Sequence, residues 1–583
     1  MEIKRGTPVS PGITIGPALV LDTEAYRIPQ RFVPSERIDD EVRRFDKAIA
    51  QAAGEAAGTH RTVSDKFGPQ WGAIFGAHEQ LIQDPMLVRE ITTLIREHHC
   101  AAEYAVSMVM RNYAKKMESL GPGLFATRAA DLYDIEKSIL RSLLGHSREK
   151  LQHLKSAVVL LAHDLTPSET AGLDPTKVHA FATEVGGRAS HTAIMAGALE
   201  IPAVVGLGKF ITDVSGGDLV IVDGNRGLLI IDPDEETLAR YEITRTSFRS
   251  FESGLSQLRD LPAETKDGTR ITLLGNIEFP HEAEHCLDRG SDGVGLYRTE
   301  FLYLGRSSDP TEQEHLDAYL TVVRTLGATR PVVIRTLDVG ADKFSNQTSE
   351  ASGQERNPFL GLRSLRLCLK NLPLFKTQMR AILRASAFGN VRIMFPMVST
   401  LQELRECKRI LAEVRRELNQ EGVPFNPRLP VGTMIEVPSA ALMADHLARE
   451  VDFFSIGTND LVQYTLAADR TNEMVAALYN PADPAVLRLI QTVVQAAAKQ
   501  GITVNVCGEM SGEPIYTLLL LGMGLRQLSV TPHNIPEIKK MIRSVSLEEA
   551  NRVASEALRL ETARDTLNFL REQTRRILPE VVG

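Results

Sequence analysis

One histidine in this chain stands where a nucleophile would be placed. It lies in the stretch Gly-Gly-Arg-Ala-Ser-His-Thr-Ala-Ile-Met-Ala at 186–196, between two glycines and an apolar run with helical spacing. Gly186 and Gly187 let the backbone turn tightly or approach a ligand, and Ser190 can cap a helix running on through Ala193, Ile194, Ala196 and Leu199. That places His191 in a first helical turn. There the helix dipole disfavours the imidazolium and keeps a nitrogen free for attack, while unsatisfied N–H groups can receive a phosphate. A phosphoryl acceptor needs both properties. The competing reading is a structural or surface histidine, the ordinary role among the 14 in the chain.

A second group of reactive side chains recurs in the C-terminal half, each closing an apolar, β-rich segment: Arg298, Arg335, Glu436, Asn459 with Asp460, and Cys507 with Glu509. Stability does not account for the recurrence, because barrel interiors are filled mainly by branched apolar side chains. Glu436 and Asp460 end adjacent segments and could together hold a hard divalent cation; magnesium takes one or two carboxylates plus substrate phosphate oxygens. Cys507 reads by itself as a small buried hydrophobe, although its place at a segment end beside Gly508 and Glu509 allows proton transfer.

The elements that must position these residues follow from pattern. At 583 residues the chain exceeds one ordinary core, and the length suggests roughly three or four domains. A hydrophobic fraction of 43% with 24% charged residues is that of a globular protein in water. The formal net charge of -8 argues against nucleic acid as a partner, and an anionic substrate then requires a local cluster of arginines. Five cysteines lie far apart with no CxxC spacing, which points to neither a zinc site nor a disulfide framework and fits a reducing cytoplasm. The N-terminal MEIKRGTPVSPG lacks the apolar segment of a signal peptide, and no run of about 18 apolar residues offers a membrane span.

Along the chain, 12–21 predicts one or two short strands, and 35–144 a series of amphipathic helices at 37–57, 70–83, 86–97, 101–117 and 127–144. Alternation returns at 157–162, 179–184, 203–206 and 219–231, the last broken by the turn signal Asp223-Gly224. Residues 234–261 predict one long charged helix ending at Leu261-Pro262, a semi-rigid linker. Beyond it, β-rich segments at 271–276, 293–298, 332–338, 391–397, 431–436, 453–460, 503–509 and 527–530 alternate with helical patterns. Eight such segments predict a (β/α)8 barrel.

The stretch GGRASHTAIMA, with LTPSETA at 165–171, resembles the phosphohistidine segment of the enzyme I family of the phosphoenolpyruvate:sugar phosphotransferase system. The resemblance continues through GLYRTEFL, RTLDVGADK, NPFLGLRSLR, MIEVPSA, FSIGTNDLVQYTLAADR, VNVCGEMSG and LYNPADPAVLRLI, and so covers nearly the whole chain. It implies a multidomain α/β protein: an α/β phosphohistidine domain over 1–34 and 146–233, an inserted helical subdomain over 35–145 that binds the carrier protein HPr, a linker helix over 234–261, and a barrel over 262–583 that binds phosphoenolpyruvate and dimerises. A substrate carrying a carboxylate and a phosphate calls for guanidinium forks. The resemblance implies that Arg298, Arg335, Arg363, Asn459, Arg470 and Lys343 bind phosphoenolpyruvate, that Glu436 and Asp460 hold Mg2+, that Cys507 protonates the enolate, that Thr170 orients the ring or phosphate of His191, and that His191 passes the phosphoryl group to HPr in the cytoplasm. For each arginine the alternative is a surface ion pair, for Thr170 a helix cap. In the helical region, 73–78 with Asp84-Pro85 resembles the HPr-gripping helices, or forms an ordinary helix pair with His78 and Glu79 solvated.

Departures from the family pattern are His163 at a position usually acidic, Ala189 for threonine, Ala341 for glycine, Val462 for threonine and Asp483 for histidine. None falls on a residue assigned to chemistry. Two other readings remain at this point: a dikinase-like fragment working with a separate nucleotide partner, and a regulatory paralogue that binds phosphoenolpyruvate or a carrier without fast turnover.

Overall fold

The computed structural model describes residues 1–21, 31–67, 76, 78–119, 124–144, 157–165, 170, 173–186, 201–303, 308–340, 357–470, 472 and 474–579. Part of the expected helix at 70–83, His191 and Lys343 lie outside them. The chain divides into two compact units, Met1–Arg249 and Ser250–Gly583.

The first unit contains an eight-stranded sheet of order β1-β8-β7-β3-β4-β5-β6-β2. Its strands are β1 (Glu2–Arg5), β2 (Thr7–Ser10), β3 (Ile13–Leu21), β4 (Val158–Ala162), β5 (Val178–Thr183), β6 (Ala203–Val205), β7 (Leu219–Asp223) and β8 (Leu228–Ile231). The segment at 12–21 forms one strand of nine residues, parallel to β4 on one side and antiparallel to β7 on the other. The segment at 219–231 is a hairpin whose turn is held by the Asp223 carboxylate, which accepts the N–H groups of Asn225 and Arg226 at 3.1 and 3.0 Å. Gly224 is obligatory there, because a Cβ would sit 2.1 Å from the Ser10 carbonyl oxygen.

Strands β1 and β2 are absent from the sequence expectation. They occupy the two edges, pairing only with β8 and β6. An edge strand needs one partner and little buried surface, so charged residues and Pro8 are tolerated and the alternation that marks a central strand is lost.

The helical insertion comprises Ile38–Phe67, Pro85–His98, Ala102–Ser119 and Leu124–Leu144. Phe45, Ile91, Ile95, Val106, Met110 and Ile139 are fully enclosed in its core. Asp84 caps the second helix, accepting from Met86 and Leu87 with Pro85 in the first turn. His78 is buried between Asp131 and Asp134, at 3.4 and 3.8 Å, which corrects the solvated reading of that histidine. Buried imidazole is expensive unless paired.

The second unit is built on a closed barrel of eight parallel strands: β9 (Thr272–Ile277), β10 (Val294–Tyr297), β11 (Val332–Arg335), β12 (Val391–Phe395), β13 (Val431–Ile435), β14 (Phe453–Ile456), β15 (Thr503–Val506) and β16 (Gln527–Val530), with β16 closing on β9. Six of the eight barrel strands of the sequence reading ran further than they do here, while 527–530 matches and 271–276 is shifted by one residue. In particular, Asn459 and Asp460 do not end β14 but lie in the first turn of the helix Thr458–Leu466. Gly457 makes the corner, and a Cβ there would come within 2.7 Å of the Glu436 carboxylate. The linker helix runs over Glu235–Ser256 with Asp234 accepting from Thr237 at its start.

Glu537, on the helix Ile535–Arg543, is half-buried, and burial pushes its carboxyl from 4.5 up to about 7. Between those values the folded chain holds a proton that the unfolded chain has lost, so stability falls as pH rises through this window. We expect Glu537→Gln to unfold at a higher temperature than wild type at pH 8 and at nearly the same temperature at pH 4.5; a difference independent of pH would refute the assignment.

Candidate active site

The carboxyl ends of the barrel strands bring together eight of the nine residues assigned to binding or chemistry there by sequence; Lys343 is outside the described residues. Arg335 ends β11 and is buried, with one guanidinium nitrogen on Glu300 at 3.0 Å and another on Asp338 at 2.9 Å. Its Nε has no hydrogen-bond partner. Asp338 also meets Arg363 at 3.1 Å, and Arg363 reaches Asp460 at 3.4 Å and the Tyr464 hydroxyl at 3.3 Å. The result is a continuous chain of alternating charge: Glu300, Arg335, Asp338, Arg363, Asp460.

Glu436 follows β13 directly and is buried, its carboxylate accepting the Met397 N–H at 2.6 Å. Burial, then the neighbouring Asp338 and Asp460, push its carboxyl up to about 8. Asp460 is raised as well, first by burial, although Arg363 opposes the shift. Asp338 goes the other way, since Arg335 and Arg363 outweigh its burial.

The remaining polar groups form a second set. Arg298, one residue beyond β10, donates to Glu278 at 2.6 Å. The Glu509 carboxylate accepts from the Asn459 side-chain amide N–H at 3.0 Å and from Arg470 at 3.4 Å, while the Glu509 backbone N–H donates to the Asn459 side-chain Oδ1 at 2.8 Å. Every guanidinium named by the sequence therefore rests on a carboxylate, and Arg298, Arg470, Glu278 and Glu509 are open to solvent. Anions of a ligand can replace partners of this kind.

Cys507 follows β15 and is buried, which pushes its thiol up to about 11 despite a hydrogen bond from Ser455. Next to it, Gly508 admits no side chain: a Cβ would stand 1.8 Å from the Thr458 hydroxyl and 2.9 Å from the Asn459 side-chain oxygen. The glycine thus lets the thiol loop and the Asn459 helix meet.

Glu300, Asp338, Glu278 and Ser455 escaped the sequence reading. Glu300 and Asp338 sit inside stretches already noted, GLYRTEFL and RTLDVGADK, and the signal for them was a carboxylate within a few residues of an arginine. Beneath Arg335, Gln378 accepts the Leu337 N–H at 2.9 Å and donates to Thr299 at 3.0 Å, and Thr299 donates to the Arg335 carbonyl at 3.0 Å. This buried amide fixes the strand end from behind.

In the first unit, Thr170 is fully buried. His163 meets the Glu184 carboxylate at 2.6 Å, and Glu184 also accepts from Phe210 and Ile211 at 2.7 and 2.9 Å. Burial raises the Glu184 carboxyl, but these donors outweigh it and hold the group below its ordinary value. Asp483 caps the helix Pro484–Gln500, accepting from Ala485 at 2.9 Å, so its departure from the family pattern has a local structural use.

The donor set suits a magnesium ion. Both carboxyls are raised, Glu436 by burial and then by Asp338 and Asp460, Asp460 by burial and Asp338, and a hard cation would offset that accumulation of negative charge, with its other positions left to substrate oxygens and water.

Residues 252–547 match the PEP-binding domain of PEP-utilising enzymes, 5–128 their N-terminal domain and 154–227 their mobile domain. A phosphoenolpyruvate-protein phosphotransferase of Bacillus sp. (strain S) is 43% identical over 97% of this chain and 97% of its own. The chain belongs to the phosphoenolpyruvate-protein phosphotransferase family. The Geobacillus stearothermophilus member is 43% identical over the same shares of both chains, and that of Bacillus subtilis (strain 168) is 41% identical over 98% of this chain and 100% of its own. An NMR solution structure of an enzyme I covers 42% of this chain and 99% of its own at 39% identity, with a TM-score of 0.37. As a member of this family the chain is a phosphotransferase that utilises phosphoenolpyruvate.

Two substitutions test the barrel mouth. Glu300→Gln removes the charge that holds Arg335 and should raise the KM for phosphoenolpyruvate about tenfold or more, the worth of a charge-assisted hydrogen bond; an unchanged KM in steady-state assays would count against it. Gly508→Ala must displace Thr458 and Asn459, and we expect turnover to collapse while the thermal midpoint falls by only a few degrees. Near-normal turnover in this variant would show that the contact is slack.

Proposed function

We propose that this chain takes the phosphoryl group of phosphoenolpyruvate onto His191 and passes it to a histidine of an HPr-like carrier protein, the entry step of phosphotransferase-dependent sugar uptake. The observation that carries the reading is the gathering of Arg298, Arg335, Arg363, Arg470 and Asn459 around a buried thiol at one barrel mouth. Guanidinium forks and an amide suit a substrate with a phosphate and a carboxylate, and the thiol suits the proton that the product requires.

In the first half-reaction an imidazole nitrogen of His191 attacks phosphorus, the bond from phosphorus to the enol oxygen breaks, and the enolate of pyruvate remains. Cys507 gives its proton to the methylene carbon, producing pyruvate and a thiolate that recovers a proton from water. Glu436 and Asp460 would hold magnesium, which would supply charge neutralisation on the transferring group. The arginines hold phosphate and carboxylate so that the leaving oxygen faces away from the nucleophile, Lys343 joins them in binding the substrate, and Thr170 orients the His191 ring. In the second half-reaction the phosphoryl group moves from His191 to the carrier, which docks on the helical insertion.

His191 falls in the segment matched by the mobile domain and the substrate residues fall in the PEP-binding domain, so catalysis requires the two to approach and separate. The reading further includes a homodimer formed through the barrel and a cytoplasmic location. It is consistent with five cysteines in thiol form, and among the described residues no helix is long and apolar enough to cross a membrane. Of the departures, His163 and Asp483 are the two that invite a regulatory paralogue, and the helix-capping role gives Asp483 a local structural use instead.

Incubation with magnesium and radiolabelled phosphoenolpyruvate should yield an acid-labile, alkali-stable phosphoprotein in wild type, no label in His191→Ala, and transfer of label to added HPr-like carrier. Binding of phosphoenolpyruvate without any label in wild type would refute the phosphotransfer reading in favour of a regulatory one, and labelling by ATP alone would point to a dikinase.

A further inference from the structure

Cys507 joins a buried apolar cluster with Leu296, Val333, Met394, Met434 and Phe453, and beside it the barrel interior also holds polar side chains, which is unusual for a space normally filled by branched apolar ones. Asn276 on β9 donates to the carbonyl oxygens of Cys507 and Ser529, both at 3.0 Å, and accepts from the Ser529 hydroxyl at 2.6 Å. Ser511 donates to the carbonyls of Gly508 and Ser529 at 2.7 and 2.6 Å. These contacts fix the backbone on either side of the sulfur. The sulfur itself has a different partner: Ser455, wholly buried on β14, aims its hydroxyl at Cys507 Sγ at 3.2 Å.

The thiol proton in this arrangement faces the Ile456 carbonyl at 3.6 Å, an acceptor already engaged by the Cys507 N–H at 3.1 Å. The sulfur thus donates weakly to a shared carbonyl and accepts from a dedicated hydroxyl. Once the proton has left for a substrate carbon, the Ile456 carbonyl repels the thiolate, while the Ser455 hydroxyl remains directed at it. A hydrogen bond to a charged group is about twice as strong as one between neutral groups, so the contact strengthens as the thiolate forms.

We propose that Ser455 is a positioning residue for proton transfer: its hydroxyl orients the Cys507 sulfur and stabilises the thiolate left when the enolate carbon of pyruvate is protonated. The proposal rests on Cys507 being the proton donor. Burial raises the thiol and the Ser455 hydrogen bond opposes that rise, in keeping with this role.

The reverse step isolates the effect. The Cys507 thiolate removes a methyl proton from pyruvate, giving enolate and thiol, and return of a deuteron from solvent labels the methyl group. We would follow this exchange by NMR in D2O with magnesium and pyruvate, using the full chain as wild type, Ser455→Ala, Ser455→Thr and Cys507→Ala, and measure the KM for phosphoenolpyruvate alongside. Loss of a hydrogen bond to a charged group predicts exchange slowed about ten- to a hundredfold in Ser455→Ala, with KM within about twofold of wild type and recovery of exchange in Ser455→Thr. If the added methyl of threonine disrupts folding, the alanine variant decides alone. Exchange unaltered in Ser455→Ala but abolished in Cys507→Ala overturns the proposal and leaves the donor assignment standing; a parallel rise in KM also overturns it, since that is the effect of a merely structural serine. Exchange persisting in Cys507→Ala overturns the donor assignment and the proposal with it.

Discussion

The barrel half depends on one constraint: charges taken out of water must be paired, and each partner must be paired in turn. Asp338 lies between Arg335 and Arg363, Arg335 between Asp338 and Glu300, and Arg363 between Asp338 and Asp460. No member can move without stranding another. This cross-bracing ties the loop after β10, the end of β11, the loop carrying Arg363 and the helix after β14 into one rigid rim, with Gln378 holding it from below. Beside this series, burial and then Asp338 and Asp460 raise the Glu436 carboxyl, an excess of negative charge that a cation would offset.

The two sets of guanidinium contacts differ in what they can do. Arg335 and Arg363 are enclosed, and their carboxylate partners keep them in a fixed geometry. Arg298 and Arg470 rest on exposed carboxylates, Glu278 and Glu509, through pairs that contribute little to stability in water. The inner pair is held in place by its partners, whereas the contacts of the outer pair are open to exchange with other anions. Gly508 and Gly457 serve the same compactness, since each makes room for a polar group of a neighbouring element where a side chain would collide.

In the first unit, the departure at His163 has a local use. His163 pairs with Glu184, which also holds the N–H groups of Phe210 and Ile211, so the substituted residue belongs to a network linking the ends of β4 and β5 to the turn that follows β6. His78 is likewise integrated into the helical insertion through two aspartates. A histidine next to carboxylates gains from the pairing whatever it was recruited for, and this is why such positions are poor guides to function from sequence alone.

The sequence by itself determined the class of fold and most of the candidate barrel residues. Strict alternation of β-rich and helical segments can be satisfied by few architectures, and a reactive residue recurring at the end of apolar segments is visible without coordinates because strand direction fixes which end carries loops. Tertiary structure alone decided three things. The edge strands β1 and β2 exist because partners are available, a property of the sheet and not of their own residues. Asn459 and Asp460 belong to a helix because Gly457 turns the chain there, and a run of apolar residues cannot reveal where a strand stops. Finally, Glu300, Asp338, Glu278 and Ser455 owe their roles to neighbours distant in the chain: a carboxylate or hydroxyl has the same chemistry everywhere, and only burial beside a particular guanidinium or sulfur gives it something to do.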